Sequence, residues 1–200
     1  RARSVGVLAE VGFDLPGTLP LTDIVELRDK REVLDRLCCL HVSAACAYGL
    51  DRAVALRRLV KEGLVGSLTE AETSYLRSGV GDVLSFQREV ESMWALAWCL
   101  SLVRHLHFWT HCDDDFVHRL PDLKVATPSS GIRERAVLRD ASEVAQLTDL
   151  AFCLHWLARD AQLNQRPLPA GIDLALIEVR RKSLEWVSGR DAWDAISLDT

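Results

Sequence analysis

The sequence is poor in the residues that interrupt helices. It contains 11 glycines and 6 prolines in 200 residues, and only 5 isoleucines against 32 leucines. Straight-chain and γ-branched side chains keep most of their rotamer freedom in a helix, whereas glycine and proline are the residues that break one. We therefore predict an all-α fold with no substantial sheet.

Three further features are scarce or missing, and each argues against a class of protein. The most apolar run, Met93–Val103, is too short to span a bilayer about 30 Å thick, so we expect no membrane partner. Neither half of the chain is basic and the net charge is −5, which argues against a nucleic-acid partner. The six cysteines include no C-x-x-C pair and no N-terminal segment resembles a signal peptide, so we expect a reducing, cytoplasmic compartment.

The length fits one domain. Hydrophobic residues make up 48% of the chain and charged residues 26%, which is ordinary globular composition. Because no linker or internal repeat is visible, we predict a single helical domain over residues 1–200, with residues 1–28 partly extended around Pro16 and Pro20. The sequence opens on Arg1 rather than methionine, which leaves open whether residues precede it in the native chain.

Hydrophobic periodicity and capping residues predict an orthogonal assembly of about seven helices. Asp29 with Glu32, and Thr69 with Glu72, have the spacing of a capping box. The predicted helices cover Ser4–Glu10, Asp29–Tyr48, Asp51–Glu62, Thr69–Gly79, Val83–His105, Ser142–Leu163 and Gly171–Gly189. Between residues 110 and 128 we expect loops with at most one short helix.

Three groups of residues, taken in order, give the chain a family likeness. The first group is Glu91-x-x-Trp94-x-x-x-Trp98-x-Leu100. The second is Leu138-Arg139, followed by Asp149-Leu150 and His155-Trp156-x-x-Arg159. The third is Arg180-Arg181, followed by Leu184-x-Trp186, Trp193-Asp194 and Asp199-Thr200. In these segments the chain resembles the uncharacterised bacterial family called domain of unknown function 4272. The resemblance covers nearly the full chain and implies a shared fold, but it adds no activity.

The helix that ends near Leu163 carries polar residues although it is apolar almost all the way round. Asp149, His155 and Arg159 must then lie at least partly out of water. Removing one partner of a buried ion pair costs roughly 3–5 kcal/mol, so each of these side chains needs a partner. The sequence offers four: Glu91, Arg139, Arg180 and Arg181.

This polar cluster has two interpretations. In the structural one, which we favour, a buried network of ion pairs fixes how the helices cross. In the functional one, His155 acts as an acid or base beside Asp149 while arginines hold an anionic ligand. The sequence supplies neither a nucleophile elbow nor a phosphate-binding loop beside them, so no catalytic residue is assigned.

Four of the six histidines fall within 14 residues and raise the question of a metal site. In a helix, four potential ligands would line one face at helical spacing: His107, His111, Asp114 and His118. Imidazole and carboxylate ligands suit zinc or another transition ion. Three successive aspartates and Pro121 make a continuous helix doubtful, so we interpret the run as an exposed polar loop and expect no metal or other cofactor.

The tryptophans and cysteines are predicted to be structural. Trp94 and Trp98 are four residues apart, which is typical of a core stripe, and Trp193 is expected to anchor the C-terminal tail. Cys38 and Cys39 point about 100° apart on a helix, a poor geometry for a disulfide, so we interpret them as core thiols.

The function that best fits these features is a non-enzymatic, cytoplasmic helical module that binds another protein. An immunity or antitoxin-like protein and an accessory subunit are two examples, and a homo-oligomer is left open. The alternative is an enzyme or small-ligand-binding protein with a polar pocket around Asp149, His155 and Arg159. A weaker alternative is a metal-binding protein that uses the His107–His118 run.

Overall fold

A computed structural model of the protein describes residues 1–21, 26–125, 127–168 and 171–199. These residues form eight α-helices and no β-strand, which confirms the predicted all-α class. The helices are α1 (Ala2–Glu10), α2 (Lys30–Ala47), α3 (Arg52–Glu62), α4 (Glu70–Ser78), α5 (Val83–Cys99), α6 (Ser130–Arg135), α7 (Ala141–Leu163) and α8 (Leu174–Ser188). Three short 3-10 turns cover Val65–Ser67, Phe116–Arg119 and Trp193–Ala195.

The helices are distributed over two compact units. Unit one comprises residues 1–27, 107–111 and 139–200, and in it α7 packs against α1 and α8. Unit two comprises residues 28–106 and 112–138, and in it α2 packs against α3, α4 and α5. The single helical domain expected from the sequence stays a prediction.

Local capping residues start four of the helices, α2 to α5, where the sequence predicts. The side chains of Asp29 and Asp51 accept hydrogen bonds from the first turns of α2 and α3. Thr69 and Glu72 form a complete capping box at the start of α4, and Gly79 ends that helix in the left-handed conformation, with φ of 77°. These boundaries depend on contacts within a few residues, which is why the sequence predicts them.

Helix α5 ends at Cys99, six residues before the predicted end near His105. Ser101 adopts a left-handed φ of 56°, its N–H donates to the carbonyl of Trp98, and the N–H of Leu102 donates to the carbonyl of Ala97. This is a Schellman ending in which serine takes the place usually filled by glycine. The sequence therefore does not indicate that α5 ends at Cys99.

One boundary and one additional helix also differ from the prediction. Helix α7 is capped by Asp140, whose side chain accepts a hydrogen bond from the N–H of Ser142, so the helix begins slightly earlier than predicted. Helix α6 was not predicted, because its six residues are too few to establish a hydrophobic period. It brings the number of described α-helices to eight.

Among the described residues, no helix combines the length and hydrophobicity needed to cross a membrane.

The tryptophans take the core positions expected of them. Trp94 is buried and its ring meets that of Phe116 edge to face, with 4.9 Å between centroids. In unit one, Trp193 is buried against Trp186 of α8 at 5.4 Å, with the Lys182 ammonium 4.8 Å from the Trp193 ring. The residues after α8 are thus anchored through an aromatic pair.

Candidate functional site

Asp149 lies in the core of unit one, on the face of α7 that packs against α1. Its carboxylate accepts hydrogen bonds from Arg1, whose Nη2 is 2.9 Å from Oδ1, and from the Ser4 hydroxyl at 2.5 Å. Arg1 Nη1 also donates to the backbone carbonyl of Leu19. We call this group of residues the Asp149 site.

The electrostatics of the Asp149 site stabilise the charged carboxylate. Burial opposes ionisation of Asp149, but the hydrogen bonds from Arg1 and Ser4 outweigh that effect and hold the pKa of the carboxyl below its usual value. The Asp149 residue is only 5% exposed. An ionised, fully engaged carboxylate in this position ties α1 to α7 and has little capacity left to accept a proton from a substrate.

Six residues along α7, His155 projects from a different side of the helix and contacts α8. Arg181 Nη1 lies 2.5 Å from His155 Nδ1, and Glu178 Oε1 lies 3.4 Å from Nε2. Because a guanidinium can only donate, Nδ1 must accept and the proton of the neutral ring resides on Nε2, facing the carboxylate. His155 and Arg181 are each 3% exposed, and we call them with Glu178 the His155 site.

Arg181 also joins α8 to the residues that follow it. Its Nε donates to Glu185 at 2.6 Å, and its two terminal nitrogens donate to the backbone carbonyls of Leu198 and Asp199 at 3.1 and 3.2 Å. The guanidinium stacks on the Phe152 ring at 5.0 Å. The neighbouring Thr200, which belongs to the family likeness, lies outside the described residues.

Burial and nearby positive charge keep His155 neutral. Desolvation lowers the pKa of His155 to about 4, and the charges of Arg181 and Arg159 act in the same direction. Desolvation also raises the pKa of Glu185, against the opposing effect of Arg181. A neutral imidazole that is only 3% exposed is poorly placed to contact a substrate directly.

The other members of the predicted polar cluster have separate partners. Arg180 is 1% exposed and donates to the backbone carbonyl of His107. Arg139 pairs with Glu143 at 3.0 Å, and exposed Arg159 donates to Gln162 at 3.1 Å. Glu91 belongs to unit two, where it accepts a hydrogen bond from the N–H of Cys112. Of the seven predicted residues, His155 and Arg181 are in direct contact.

The histidine-rich run does not form the helix that a shared metal face requires. His107 and His111 lie in an irregular segment, Asp114 lies in a turn, and His118 belongs to a 3-10 turn. His111 Nε2 is 3.7 Å from Asp173, and both side chains are at least half exposed. Over the described ranges, no three His, Cys, Asp or Glu residues are grouped as metal ligands.

All six cysteines are free thiols, and five of them are buried. Desolvation raises the pKa of Cys38 to about 11 and that of Cys39 to about 12. It also raises the pKa values of Cys46 and Cys153 to about 11. Because the thiolate is the reactive form, these four are inert packing groups at neutral pH.

Unit two contains a buried ion pair that the sequence analysis did not find. Arg36 of α2 donates to Glu72 of α4, and the two residues are 4% and 3% exposed. The same carboxylate accepts from the Ser43 hydroxyl at 3.4 Å and from the Thr69 N–H at 2.9 Å. The capping motif predicted the bond to Thr69, but no local pattern connects Glu72 with a residue 36 positions away.

A basic cleft is the second feature of unit two that was missed. It lies between α3 and a wall formed by Leu123, residues 128–130 and Arg133, and it has a volume of about 560 Å³. Its cationic lining residues are Arg57, Arg58, Lys61 and Arg133. The Arg57-Arg58 pair is visible in the sequence, but the facing wall comes from residues more than 60 positions away.

Substituting Asp149 with asparagine tests the structural role of the Asp149 site. The substitution removes the charge but keeps one acceptor, and Arg1, whose side chain is 18% exposed, can recover some hydration. We therefore expect the free energy of unfolding to fall by about 2 kcal/mol, measured by urea denaturation. Glu143→Gln, at an exposed ion pair on the same helix, should change it by less than about 1 kcal/mol. Unchanged stability of Asp149→Asn would contradict the structural interpretation.

Comparison with known proteins gives one match. A family model described as Domain of unknown function (DUF4272) matches residues 1–196 of the chain. No curated protein and no solved structure matches it. The matched range includes the Asp149 site, the basic cleft and all but the last residues of unit one.

Proposed function

The chain belongs to the DUF4272 family, as its sequence resemblance predicted, and from this premise we propose that it is a non-catalytic module that binds another protein. A fold shared with a family of unknown function supplies no chemistry, so the proposal depends on the sites themselves. It includes a cytoplasmic location in a bacterial cell, as an immunity or antitoxin-like protein or an accessory subunit.

The observation that carries the proposal is the burial of the two polar sites of α7. His155 and Asp149 are 3% and 5% exposed, and each contacts a charged side chain within the core. An enzyme needs its acid or base within reach of the substrate, in a concave site that solvent enters. Side chains held in this way connect α7 to α1 and α8, which supports a structural role for them.

The state of the thiols supports a reducing compartment. Six cysteines are free, and those with raised pKa values are protonated at neutral pH. Proteins of oxidising compartments commonly use cysteines in disulfides, whereas cytosolic proteins keep them reduced. Because their thiols stay protonated, four of the cysteines supply no activated nucleophile: Cys38, Cys39, Cys46 and Cys153.

The proposal predicts that the protein has a stoichiometric partner that does not depend on His155. We expect tagged wild-type chain, purified under reducing conditions and at physiological salt from the cells that make it, to retain one other protein at a fixed ratio by quantitative mass spectrometry. His155→Asn keeps an acceptor for Arg181 near the position of Nδ1, and we expect it to retain the same partner.

One outcome would contradict this proposal, and another would contradict the structural role of His155. A partner-free monomer or homodimer would remove the basis for a protein-binding module. Loss of the partner from folded His155→Asn, with the fold checked by its thermal melting curve, would instead indicate that the His155 site takes part in binding. Arg159→Gln serves as the matched control, because Arg159 is exposed and lies on the same helix.

A further inference from the structure

The basic cleft of unit two combines an apolar surface with positive charge. Val54 of α3 and Pro128 of the opposite wall provide most of its apolar surface, and Leu123, which is 6% exposed, adds a small part. The volume of about 560 Å³ is in the range of pockets that take a ligand of several hundred daltons or a short stretch of peptide. The cleft therefore has the size and the apolar surface needed for a ligand.

Half of the positive charge in the cleft is already neutralised. Arg58 pairs with Glu62 at 2.9 Å, and the hydroxyl of Ser129 donates to the same carboxylate at 2.6 Å. Arg133 pairs with Asp35 at 2.7 Å. These two arginines are held by carboxylates of the protein itself and form the fixed part of the cleft.

Arg57 and Lys61 supply the remaining positive charge. Both are exposed, and no carboxylate among the described residues pairs with either of them. They are four residues apart on α3, which places their attachment points about 6 Å apart along the helix. In a chain whose net charge is −5, two uncompensated cations beside an apolar surface mark a place for an anionic group.

The spacing of these two cations fits two separate anionic groups better than one. In an extended peptide, side chains two residues apart lie on the same face and are about 6.6 Å apart. Alternate acidic residues can therefore meet Arg57 and Lys61, while the residues between them face the other way, towards the surface formed by Leu123 and Pro128. A single phosphate is bound best by converging guanidinium groups, and both Arg58 and Arg133 are engaged elsewhere.

We propose that the basic cleft binds an extended segment of a partner protein in which acidic and apolar residues alternate. This inference rests on the proposed function and specifies the chemistry of the partner. The acidic side chains pair with Arg57 and Lys61, and the apolar ones cover Pro128 and the small exposed part of Leu123. Because both cations are exposed, their contribution is sensitive to salt.

The test measures binding of a fluorescently labelled peptide, Gly-Glu-Leu-Glu-Leu-Glu-Gly, to the full chain by fluorescence anisotropy. We expect saturable binding that weakens between 50 and 300 mM salt, and a loss of affinity of at least about ten-fold in Arg57→Glu/Lys61→Glu. The matched control is Arg77→Glu/Arg88→Glu, which reverses two exposed cations elsewhere in unit two and changes the net charge equally. It should bind as the wild type does.

Specific outcomes would overturn the inference. One is an equal loss of affinity in both double variants, which would indicate a general charge effect. Another is wild-type chain that binds a uridine oligonucleotide or inorganic phosphate but not the peptide, which would assign the cleft to a phosphate ligand. A cellular partner that is retained by Arg57→Glu/Lys61→Glu would disprove the cleft as its site and leave the proposed function standing, whereas the absence of any partner would remove both.

Discussion

Substituting Glu72 with glutamine is expected to lower the free energy of unfolding by about 3–5 kcal/mol, the largest effect of any single substitution considered for this protein. Glu72 and Arg36 are both almost completely buried, and Arg36 Nη1 additionally donates to the carbonyl of Ser67 at 3.2 Å. The substitution leaves the Arg36 guanidinium in the core without its counter-charge. Burial of an uncompensated charge costs several kcal/mol even after local relaxation.

Glutamine is chosen because it isolates the charge from the helix cap. A glutamine at this position of a capping box can still accept the hydrogen bond from the N–H of Thr69, so α4 keeps its N-terminal cap. Alanine would keep the bond from the residue 72 N–H to the Thr69 hydroxyl but would remove the acceptor of the Thr69 N–H together with the charge, and the two effects could not be separated. The quantity to measure is the urea-unfolding free energy of the reduced protein.

Two further variants make the result interpretable. Glu70→Gln removes a carboxylate from the same first turn of α4, but Glu70 is exposed, so we expect a change within about 0.5 kcal/mol. Combining Glu72→Gln with Arg36→Met removes both buried charges and should recover a large part of the loss, giving a favourable coupling energy in the double-mutant cycle. A cost below about 1 kcal/mol for Glu72→Gln would contradict a tight buried pair.

The fold was predictable where a boundary depends on neighbouring residues. Asp51 and Thr69 cap the first turns that follow them, and Gly189 ends α8 as predicted. The early end of α5 was not predictable, because a serine in left-handed conformation carries no signal in the sequence and is held by the surrounding structure. The N–H of Val137 donates to the carbonyl of Leu100 at 3.0 Å, and this contact joins residues 37 positions apart.

For the candidate sites, too, the sequence predicted the features that depend on a local pattern and missed the contacts between residues far apart in the chain. The apolar pattern of α7 predicted that Asp149, His155 and Arg159 would lie at least partly out of water and would need partners. Asp149 and His155 are buried beside partners, whereas Arg159 is exposed and the prediction is wrong for it. It did not identify Arg1 as the partner of Asp149, since periodicity gives the face of a helix but not what covers it. The basic cleft was missed for the same reason, because one of its walls comes from α3 and the other from a segment without a regular period.

The distribution of charge separates the groups that hold the structure together from those available for binding. Arg36, Arg180 and Arg181 are buried cations, and each contacts a carboxylate, a ring nitrogen or a carbonyl oxygen. Arg57 and Lys61 differ from them because they are exposed and face a cleft with an apolar surface. A binding module needs exposed groups of this second kind, and the buried groups fix the shape that presents them.

The protein is expected to lose stability steeply as the pH falls from 6.5 to 4, because each unit contains a buried neutral histidine. Desolvation lowers the pKa of His41 to about 4, with a further contribution from Arg58, and His155 has a lowered pKa of about 4 as well. The unfolded chain binds protons at both histidines near pH 6.5, whereas the folded chain does not until about pH 4. Stability is therefore complete above pH 6.5 and declines as the pH falls.

The size of this effect follows from proton linkage. Between these pKa values the unfolded form of each unit holds up to about one more proton, so the free energy of unfolding of each unit falls by as much as about 1.4 kcal/mol per pH unit. Each histidine accounts for a total loss of about 3 kcal/mol in its unit, a large part of the stability of an ordinary domain. Glu185 acts in the opposite direction, since its raised pKa favours the folded state on acidification. Asp149 contributes only at still lower pH, where its carboxylate is protonated.

Urea denaturation at pH 7.0, 6.0, 5.0 and 4.5 measures this dependence, with tryptophan fluorescence as the signal. The double variant His41→Gln/His155→Asn removes both titrating groups, and although it is less stable at pH 7 we expect its stability to be nearly flat over this range. His118→Gln replaces an exposed histidine and should retain the wild-type slope. If the wild-type slope persisted in the double variant, the acid sensitivity would arise from other groups, and the argument that buried neutral histidines set the pH limit of this fold would be wrong.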